Sequence, residues 1–287
     1  MNKIDMAAEL FVSSQGEIVH LSDTDAERAR KTVLSARDVD TAMRILEEDV
    51  MSQYLKAGRF EELLDIIDEL CIKPFMEPAV LSLYLKQGST CENMRDYDMA
   101  IDYYSLGIQA YAALIGEETK YSYWLFNNSA FCHGYERIFL EAEKLANKAI
   151  SIDREKHNAW KNLGISLEHQ DRYIEAAACY LASFIKCGGG DDSRPMKHLT
   201  RMFERHEGLK DEFAGQAEKE MGKIFCGSFT DFSLGEAYYH CGHFDKAVIS
   251  YEKFYESAPS GYGRYLSYSR RTAKELKELV QMEKQFT

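Results

Sequence analysis

The most regular pattern of apolar and polar positions lies between residues 157 and 190. Trp160, Leu163 and Leu167 recur there at helical spacing and therefore share one face of a helix. A polar stretch at residues 170–172 interrupts the pattern, and a second apolar run with helical spacing follows it. The pattern predicts two antiparallel helices joined by a tight turn.

Small residues stand where the two predicted helices must cross. Gly164 and Ala176 have little or no side chain, so the two backbones can approach closely there. Trp160 and Tyr180 are large and would fill the space around the crossing, as close packing requires. Because one helix pair cannot bury its apolar face alone, the pattern also predicts neighbouring pairs.

The same register recurs along the chain. The units that show it begin near residues 44, 81, 123, 157 and 228. Their small crossing positions are occupied by Gly88, Ala100, Ala130, Ala142, Gly164, Ala176, Gly235 and Ala247. In the first unit Met51 and Leu63 stand at these positions, which predicts a wider separation of its two helices. Five occurrences in one register indicate a repeat protein.

The set Trp160, Leu163, Gly164 and Ala176 resembles the signature of the tetratricopeptide repeat, a helix–turn–helix unit of about 34 residues. In the last unit Pro259 completes the signature, at a place where a helix must stop. The resemblance implies an all-α fold, a right-handed α-solenoid of antiparallel helix pairs with a helical cap at each end. The chain contains only 4 prolines and long helical periodicities, which favour the same fold class.

The register divides the chain into three parts. Residues 1–43 lie outside it, and we expect them to form a helical cap or an arm that contacts another subunit, with a helix start at Ser22. Residues 262–287 are expected to form a capping helix. The predicted array between them consists of units at residues 44–77, 81–114, 123–156, 157–190, 191–227 and 228–261. The pair at 191–227 lacks the consensus. The second helix of unit 81–114 is expected to run long and end at Gly116.

Charge and composition exclude several classes of function. The formal net charge of −12 argues against nucleic acid as a partner, because phosphate neutralisation requires clusters of Lys and Arg. No apolar run approaches the roughly 18 residues of a membrane span, and acidic residues occur too early for a secretory signal. The 7 cysteines are scattered without a C-x-x-C motif, which indicates buried free thiols in a reducing compartment. We therefore expect a cytoplasmic protein.

The sequence offers little chemistry that points to an enzyme. His240, Cys241 and His243 resemble a short metal-binding tract, but no second cluster is present to complete four ligands, and no metal site is predicted. The glycines at 188–190 are not followed by the Gly-Lys-Ser/Thr of a phosphate loop. We predict no catalytic residue, no cofactor and no enzyme activity.

The resemblance directs attention to the first helix of each pair. In tetratricopeptide arrays these helices line a concave groove that receives a peptide segment of a partner protein. Carried onto this sequence, the implied groove residues are Asn93, Asn127, Phe131, Tyr135, Asn158, Lys161, Glu168, His169, Glu236 and Tyr239. Asn127, Asn158 and Lys161 are the first choices, because a side-chain amide can pair with both polar groups of an extended peptide backbone.

The main hypothesis is a non-enzymatic protein-interaction scaffold whose ligand is a protein or peptide. One alternative is a structural module that assembles into homo-oligomers through its termini, since unpaired arms are natural contact sites. Another is a peptide-sensing regulator, in which a mobile loop at residues 187–193 lets the array close on its ligand.

Overall fold

The computed structural model describes residues 20–113, 120–188 and 194–286. Within these ranges the regular structure is entirely helical, which confirms the all-α prediction. The chain separates into two compact units, Met1–Ile152 and Asp153–Thr287. Residues 1–19 of the expected N-terminal arm, the predicted helix end at Gly116 and residues 189–193 of the predicted loop lie outside the described residues.

The first unit begins with α1 (Asp23–Leu34), where Ser22 accepts a hydrogen bond from the amide of Asp25 at 3.2 Å. This is the helix start that the sequence predicts. The next helix is continuous but contains a π-helical turn. The helices of this unit that follow α1 are α2 (Val39–Ile45), the π turn (Leu46–Met51), α3 (Ser52–Lys56), α4 (Phe60–Cys71), a 3-10 turn (Pro74–Ala79), α5 (Val80–Asn93), α6 (Tyr97–Ala113), α7 (Lys120–Tyr135) and α8 (Phe139–Ile152).

Two helix hairpins make up the C-terminal part of the first unit. Helix α5 packs against α6, and α7 packs against α8, as the register predicts. The small crossing residues Ala100, Ala130 and Ala142 are fully or almost fully buried. Toward the N-terminus, α1 to α4 enclose a separate apolar cluster that contains Val33, Leu46 and Ile67.

The second unit contains two helix pairs in the repeat register, at residues 157–190 and 228–261. Its helices are α9 (His157–Glu168), α10 (Tyr173–Lys186), α11 (Arg194–Arg205), α12 (Leu209–Ile224), α13 (Ser228–Cys241), α14 (Phe244–Ser257), a 3-10 turn (Ser260–Tyr262) and α15 (Gly263–Phe286). Helix α9 packs on α10, and α13 on α14. The predicted capping segment is a single helix, α15, which packs along α14.

The pair that lacks the consensus is built differently. Helices α11 and α12 both pack against α10. They meet each other through bulky side chains, with the rings of Phe203 and Phe213 at 6.2 Å between centroids. No glycine of α11 or α12 marks a crossing of the kind seen in the other repeats, so bulky rings rather than backbones form the contact.

Each glycine at a consensus crossing faces a tyrosine ring of the second helix. A Cβ atom added to Gly164 would lie 2.8 Å from the Tyr180 ring, and one added to Gly235 would lie 2.5 Å from the Tyr251 ring. Gly88 faces Tyr104 in the same way. Real Cβ atoms do not approach other atoms so closely, so glycine is required at these positions for the ring to fit.

In the repeat formed by α7 and α8, both the glycine and the tyrosine of this contact are replaced by alanine. Ala130 stands where the other repeats have glycine, and Ala146 stands where they have tyrosine. Both alanines are buried. The added methyl group on one helix is thus matched by loss of the ring on the other, which conserves the packing of the crossing.

A substitution tests how strictly the crossing requires glycine. We expect Gly235→Ala to lower the free energy of unfolding by about 1–2 kcal/mol, because overpacking against Tyr251 outweighs the helical preference of alanine. Urea denaturation followed by circular dichroism measures the change.

The matched control is Gly215→Ala on α12, where an added Cβ meets no atom within 4 Å. Since only helix propensity changes there, its free energy of unfolding should rise by up to about 1 kcal/mol. Equal effects of the two substitutions would contradict the crossing model.

Candidate protein-binding faces

The tyrosines at the crossings also hold a carboxylate on the first helix of each repeat. Tyr180 donates a hydrogen bond to Glu168 at 2.6 Å, and Tyr251 donates one to Glu236 at 2.7 Å. Tyr104 donates in the same way to Glu92. The buried ring thus fixes the position of an acidic side chain, including two that the sequence assigns to the groove.

Burial raises the pKa of Glu92 and of the crossing tyrosines. It raises the pKa of Glu92 to about 7, since the charged carboxylate loses water, although the hydrogen bond from Tyr104 acts in the opposite direction. Burial also raises the pKa of Tyr180 and Tyr251, and the nearby carboxylates add to the effect. The two tyrosines therefore stay protonated and act as donors.

In the first unit, the two predicted amides are occupied within the protein. Asn127 is only 5% exposed, and its amide donates to the Asn128 side chain at 2.9 Å. Asn93 donates to the Ser89 carbonyl of its own helix at 2.9 Å. The Asn127 side chain is therefore packed inside the unit, and the groove role assigned to it stays a prediction.

The predicted aromatic residues of the first unit form a partly exposed cluster with Tyr97. Tyr135 is 58% exposed and stacks on Tyr97, with ring centroids 4.2 Å apart. Phe131 contacts both rings edge-on, at 6.1 Å from Tyr97 and 5.1 Å from Tyr135. These rings offer a surface for apolar or planar groups at the C-terminal end of α7.

In the second unit, the structure joins Glu168 of α9 to two residues of α11. The Glu168 carboxylate lies 3.7 Å from the Arg201 guanidinium and 3.9 Å from Nδ1 of His198. The His198 ring also stacks on Tyr180, with centroids 5.1 Å apart. We call Glu168, Tyr180, His198 and Arg201 the Glu168 cluster.

Basic residues surround the His198 ring of the cluster. Burial lowers the pKa of His198, and the charges of Arg201, Lys161 and His169 lower it further. In agreement with a neutral ring, the Arg201 guanidinium donates to Nδ1 of His198 at 2.9 Å. Lys161 lies on α9, and His169 is the residue that caps the end of that helix.

His198 and Arg201 are the site residues that the sequence does not reveal. They belong to the pair without the consensus, where the repeat register assigns no groove positions. The available signal is their place beside the apolar stripe of Leu199, Met202 and Phe203, all of which are buried. Polar residues between such stripe positions lie on the remaining face of the helix.

A second candidate face lies between α10, α13 and α15. A pocket of about 230 Å³ is lined there by Phe184, Phe232, Glu236, Arg264, Tyr265 and Tyr268, among others. Glu236 is only 1% exposed, so it forms part of the buried wall of this pocket. Tyr239 is 37% exposed and lines a neighbouring depression together with His240 and Tyr268.

The structure directs the two histidines of the predicted tract to different partners. His243 Nε2 lies 2.9 Å from Asp211, whereas His240 Nε2 lies 3.6 Å from Glu236. Cys241 lies between the two histidines in the sequence. Its side chain is buried, and burial raises the pKa of the thiol to about 12. Among the described residues, no group of three or more His, Cys, Asp and Glu side chains is arranged to hold a metal ion.

Burial also affects several of the other cysteines. All 7 are free thiols, and Cys91, Cys132 and Cys179 are buried along with Cys241. Burial raises the pKa of Cys71 to about 11 and that of Cys91 to about 12.

Within the described part of the chain, no helix is both long and apolar enough to cross a membrane.

The segments that match a known protein family coincide with two of the helix hairpins. Residues 81–113 and 232–260 match the tetratricopeptide repeat. The first segment covers α5 and α6, and the second covers most of α13 together with α14. The chain therefore contains tetratricopeptide repeats, which confirms the resemblance seen in the sequence.

Solved structures of low sequence identity are similar to the chain. BtubC (BKLC) from P. vanneervenii is 16% identical, with a TM-score of 0.48 over 96% of this chain and 93% of that one. The APC/C hetero-tetramer Cut9-Hcn1 gives 11% identity and a TM-score of 0.45 over 92% and 48%. Yeast Tom70 gives 14% and 0.35 over 97% and 59%. No curated protein sequence matches significantly.

The partly buried carboxylate of Glu92 predicts a pH dependence of stability. Its pKa of about 7 in the folded state exceeds the ordinary value of 4.5, so folding is favoured by the protonated form. The contribution to the unfolding free energy is therefore fully present below pH about 4.5 and is lost as the pH rises through about 7. Glu92→Gln removes this titration and keeps an acceptor for Tyr104.

We expect the stability difference, Glu92→Gln minus wild type, to increase by about 1–3 kcal/mol between pH 4.5 and 8. Urea denaturation at a series of pH values measures this difference. Glu61→Gln, at an exposed position of α4, is the control and should show no comparable increase. A difference that does not change with pH for Glu92→Gln would contradict the assignment.

Proposed function

We propose that this chain is a non-enzymatic interaction module that binds a segment of a partner protein on the first helices of its repeats. The tetratricopeptide repeats support this class, because such repeats bind protein partners. The Glu168 cluster is the observation that favours a particular binding face. It brings side chains from two successive first helices, α9 and α11, to one place.

The cluster has the groups that an extended peptide requires. Arg201 is 46% exposed at its side chain and lies 3.7 Å from Glu168, so part of its fork of donors is available to peptide carbonyl groups. Lys161 adds a further donor on α9, and Asn158 one turn earlier adds an amide. Such convergence of donors on neighbouring helices would fix the register of a bound segment.

The non-enzymatic part of the proposal is supported by the state of the thiols. A thiolate is the nucleophilic form of cysteine, and burial disfavours it at Cys71, Cys91 and Cys241. Free thiols throughout the chain also suit a reducing compartment, so we propose that the protein acts in the cytoplasm.

A charge-matched pair of variants tests the binding face. Lys161→Ser with Arg201→Ser removes two donors from the face, and we expect it to reduce partner capture from native extract by tenfold or more. Quantitative mass spectrometry of the captured proteins measures the reduction. The melting temperature should change little, because both side chains are partly exposed and lie outside the apolar core.

The control is Lys219→Ser with Lys253→Ser, which removes the same charge from exposed positions of the second helices α12 and α14. It should capture partners as the wild type does. Equal capture by the two double variants would refute the proposed face, whether capture is retained by both or lost by both.

A further inference from the structure

The pocket between α10, α13 and α15 has a carboxylate in its wall that lacks a full set of partners. Glu236 Oε1 accepts the hydrogen bond from Tyr251. Its Oε2 is buried and forms no hydrogen bond of normal geometry among the described residues, although the Tyr268 hydroxyl also acts on this carboxylate. The nearest cationic candidate is His240 Nε2 at 3.6 Å, which is likewise buried without a hydrogen bond in the described structure.

An unpaired buried carboxylate oxygen is unfavourable. Loss of water around an ionised group costs free energy unless a hydrogen bond or an opposite charge compensates for it. The pocket beside Glu236 leaves space for such a group to enter. The Glu236 carboxylate is therefore a buried hydrogen-bond acceptor at the pocket wall and not a solvated surface acid.

Aromatic rings form most of the remaining wall. Phe232 contacts Tyr265 edge-on at 5.0 Å and Tyr268 at 6.0 Å, and Phe184 lines the side that α10 contributes. Ring faces attract cations through their quadrupole, and the same rings exclude water from an aliphatic chain. A volume of about 230 Å³ is below the usual range for drug-sized ligands and suits one side chain.

We propose that this pocket binds a single cationic side chain, lysine or arginine, from the partner segment. The proposal rests on the proposed function and specifies one contact of the bound segment. The aliphatic stem lies against Phe184, Phe232 and Tyr265, and the terminal cation pairs with the Glu236 carboxylate where it lines the pocket. The formal net charge of −12 favours the approach of a basic segment.

Arg264 is the one basic residue among the described lining residues, and its charge would limit the affinity for a cation. Its guanidinium lies over the Tyr265 ring at 4.6 Å and donates to the Tyr265 hydroxyl at 2.7 Å. Tyr265 therefore holds this charge beside the pocket, where it repels an incoming cation. Removal of the charge should strengthen binding of a cationic side chain and weaken binding of an anionic one.

The test uses small probes and the full-length protein. N-acetyl-lysine amide is titrated while the aromatic NMR resonances of Phe232, Tyr265 and Tyr268 are followed. N-acetyl-norleucine amide serves as the neutral counterpart and N-acetyl-glutamate amide as the acidic one. We expect saturable shifts with the lysine probe and at least tenfold weaker binding of the other two probes.

Variants assign the cation to Glu236. Glu236→Gln keeps an acceptor for Tyr251. It should weaken binding of the lysine probe by tenfold or more and leave binding of the norleucine probe unchanged. Glu92→Gln is the matched control, since it also alters a carboxylate that accepts from a crossing tyrosine, and it should leave both probes unaffected. Arg264→Gln should strengthen the lysine probe by threefold or more.

Three results would overturn the proposal. The first is equal binding of the lysine and norleucine probes, and the second is tighter binding of the glutamate probe than of the lysine probe. The third is that Arg264→Gln binds the lysine probe more weakly than the wild type does. If Glu236→Gln loses the resonance dispersion of a folded chain, the Arg264→Gln result decides. Lys161→Ser with Arg201→Ser should leave the probe titration unchanged, so failure at this pocket is distinguishable from failure of the proposed binding face.

Discussion

The close crossing of two helices at a glycine is the constraint on which each consensus repeat depends. At Gly88, Gly164 and Gly235 the backbone of the first helix lies directly against a tyrosine ring of the second. The ring fills the space that the missing side chain leaves, and the crossing is close because no Cβ atom intervenes. In the repeat of α7 and α8 the same packing is reached with Ala130 and Ala146, so the sum of the two side chains matters more than either one.

The crossing also shapes the surface that is available to a partner. The tyrosine ring is buried, yet its hydroxyl reaches the first helix and fixes a carboxylate there, at Glu168 in one repeat and Glu236 in another. The two carboxylates then differ through their neighbours. Glu168 meets basic residues of α11, whereas Glu236 meets aromatic rings of α13 and α15. A single packing device therefore supports two surfaces of different chemistry within the second unit.

The sequence by itself determined the repeat. Helical periodicity, the glycine and alanine positions and the turn residues are local features, and each follows from backbone geometry within one hairpin. For this reason the helix pairs, the burial of Trp160 and Ala176, and the capping helix could be predicted from the residues alone. The groove positions of the first helices were inferred from register, which gives a helix face but not the neighbours that the face meets. Asn127 shows the difference, since its position was on the expected face and its side chain is nevertheless buried.

Only the tertiary structure decided which side chains form a site. His198 and Arg201 lie roughly 30 residues after Glu168 in a pair without the consensus, and packing of α11 against α10 brings them together. The pocket at Glu236 requires α10, α13 and α15, which are remote in sequence. Periodicity describes one helix at a time, whereas burial, the unpaired oxygen of Glu236 and the pKa of His198 depend on what the neighbouring helices contribute. Because these properties depend on contacts between residues that are distant in sequence, the residues that form the candidate binding faces could not be predicted from the sequence.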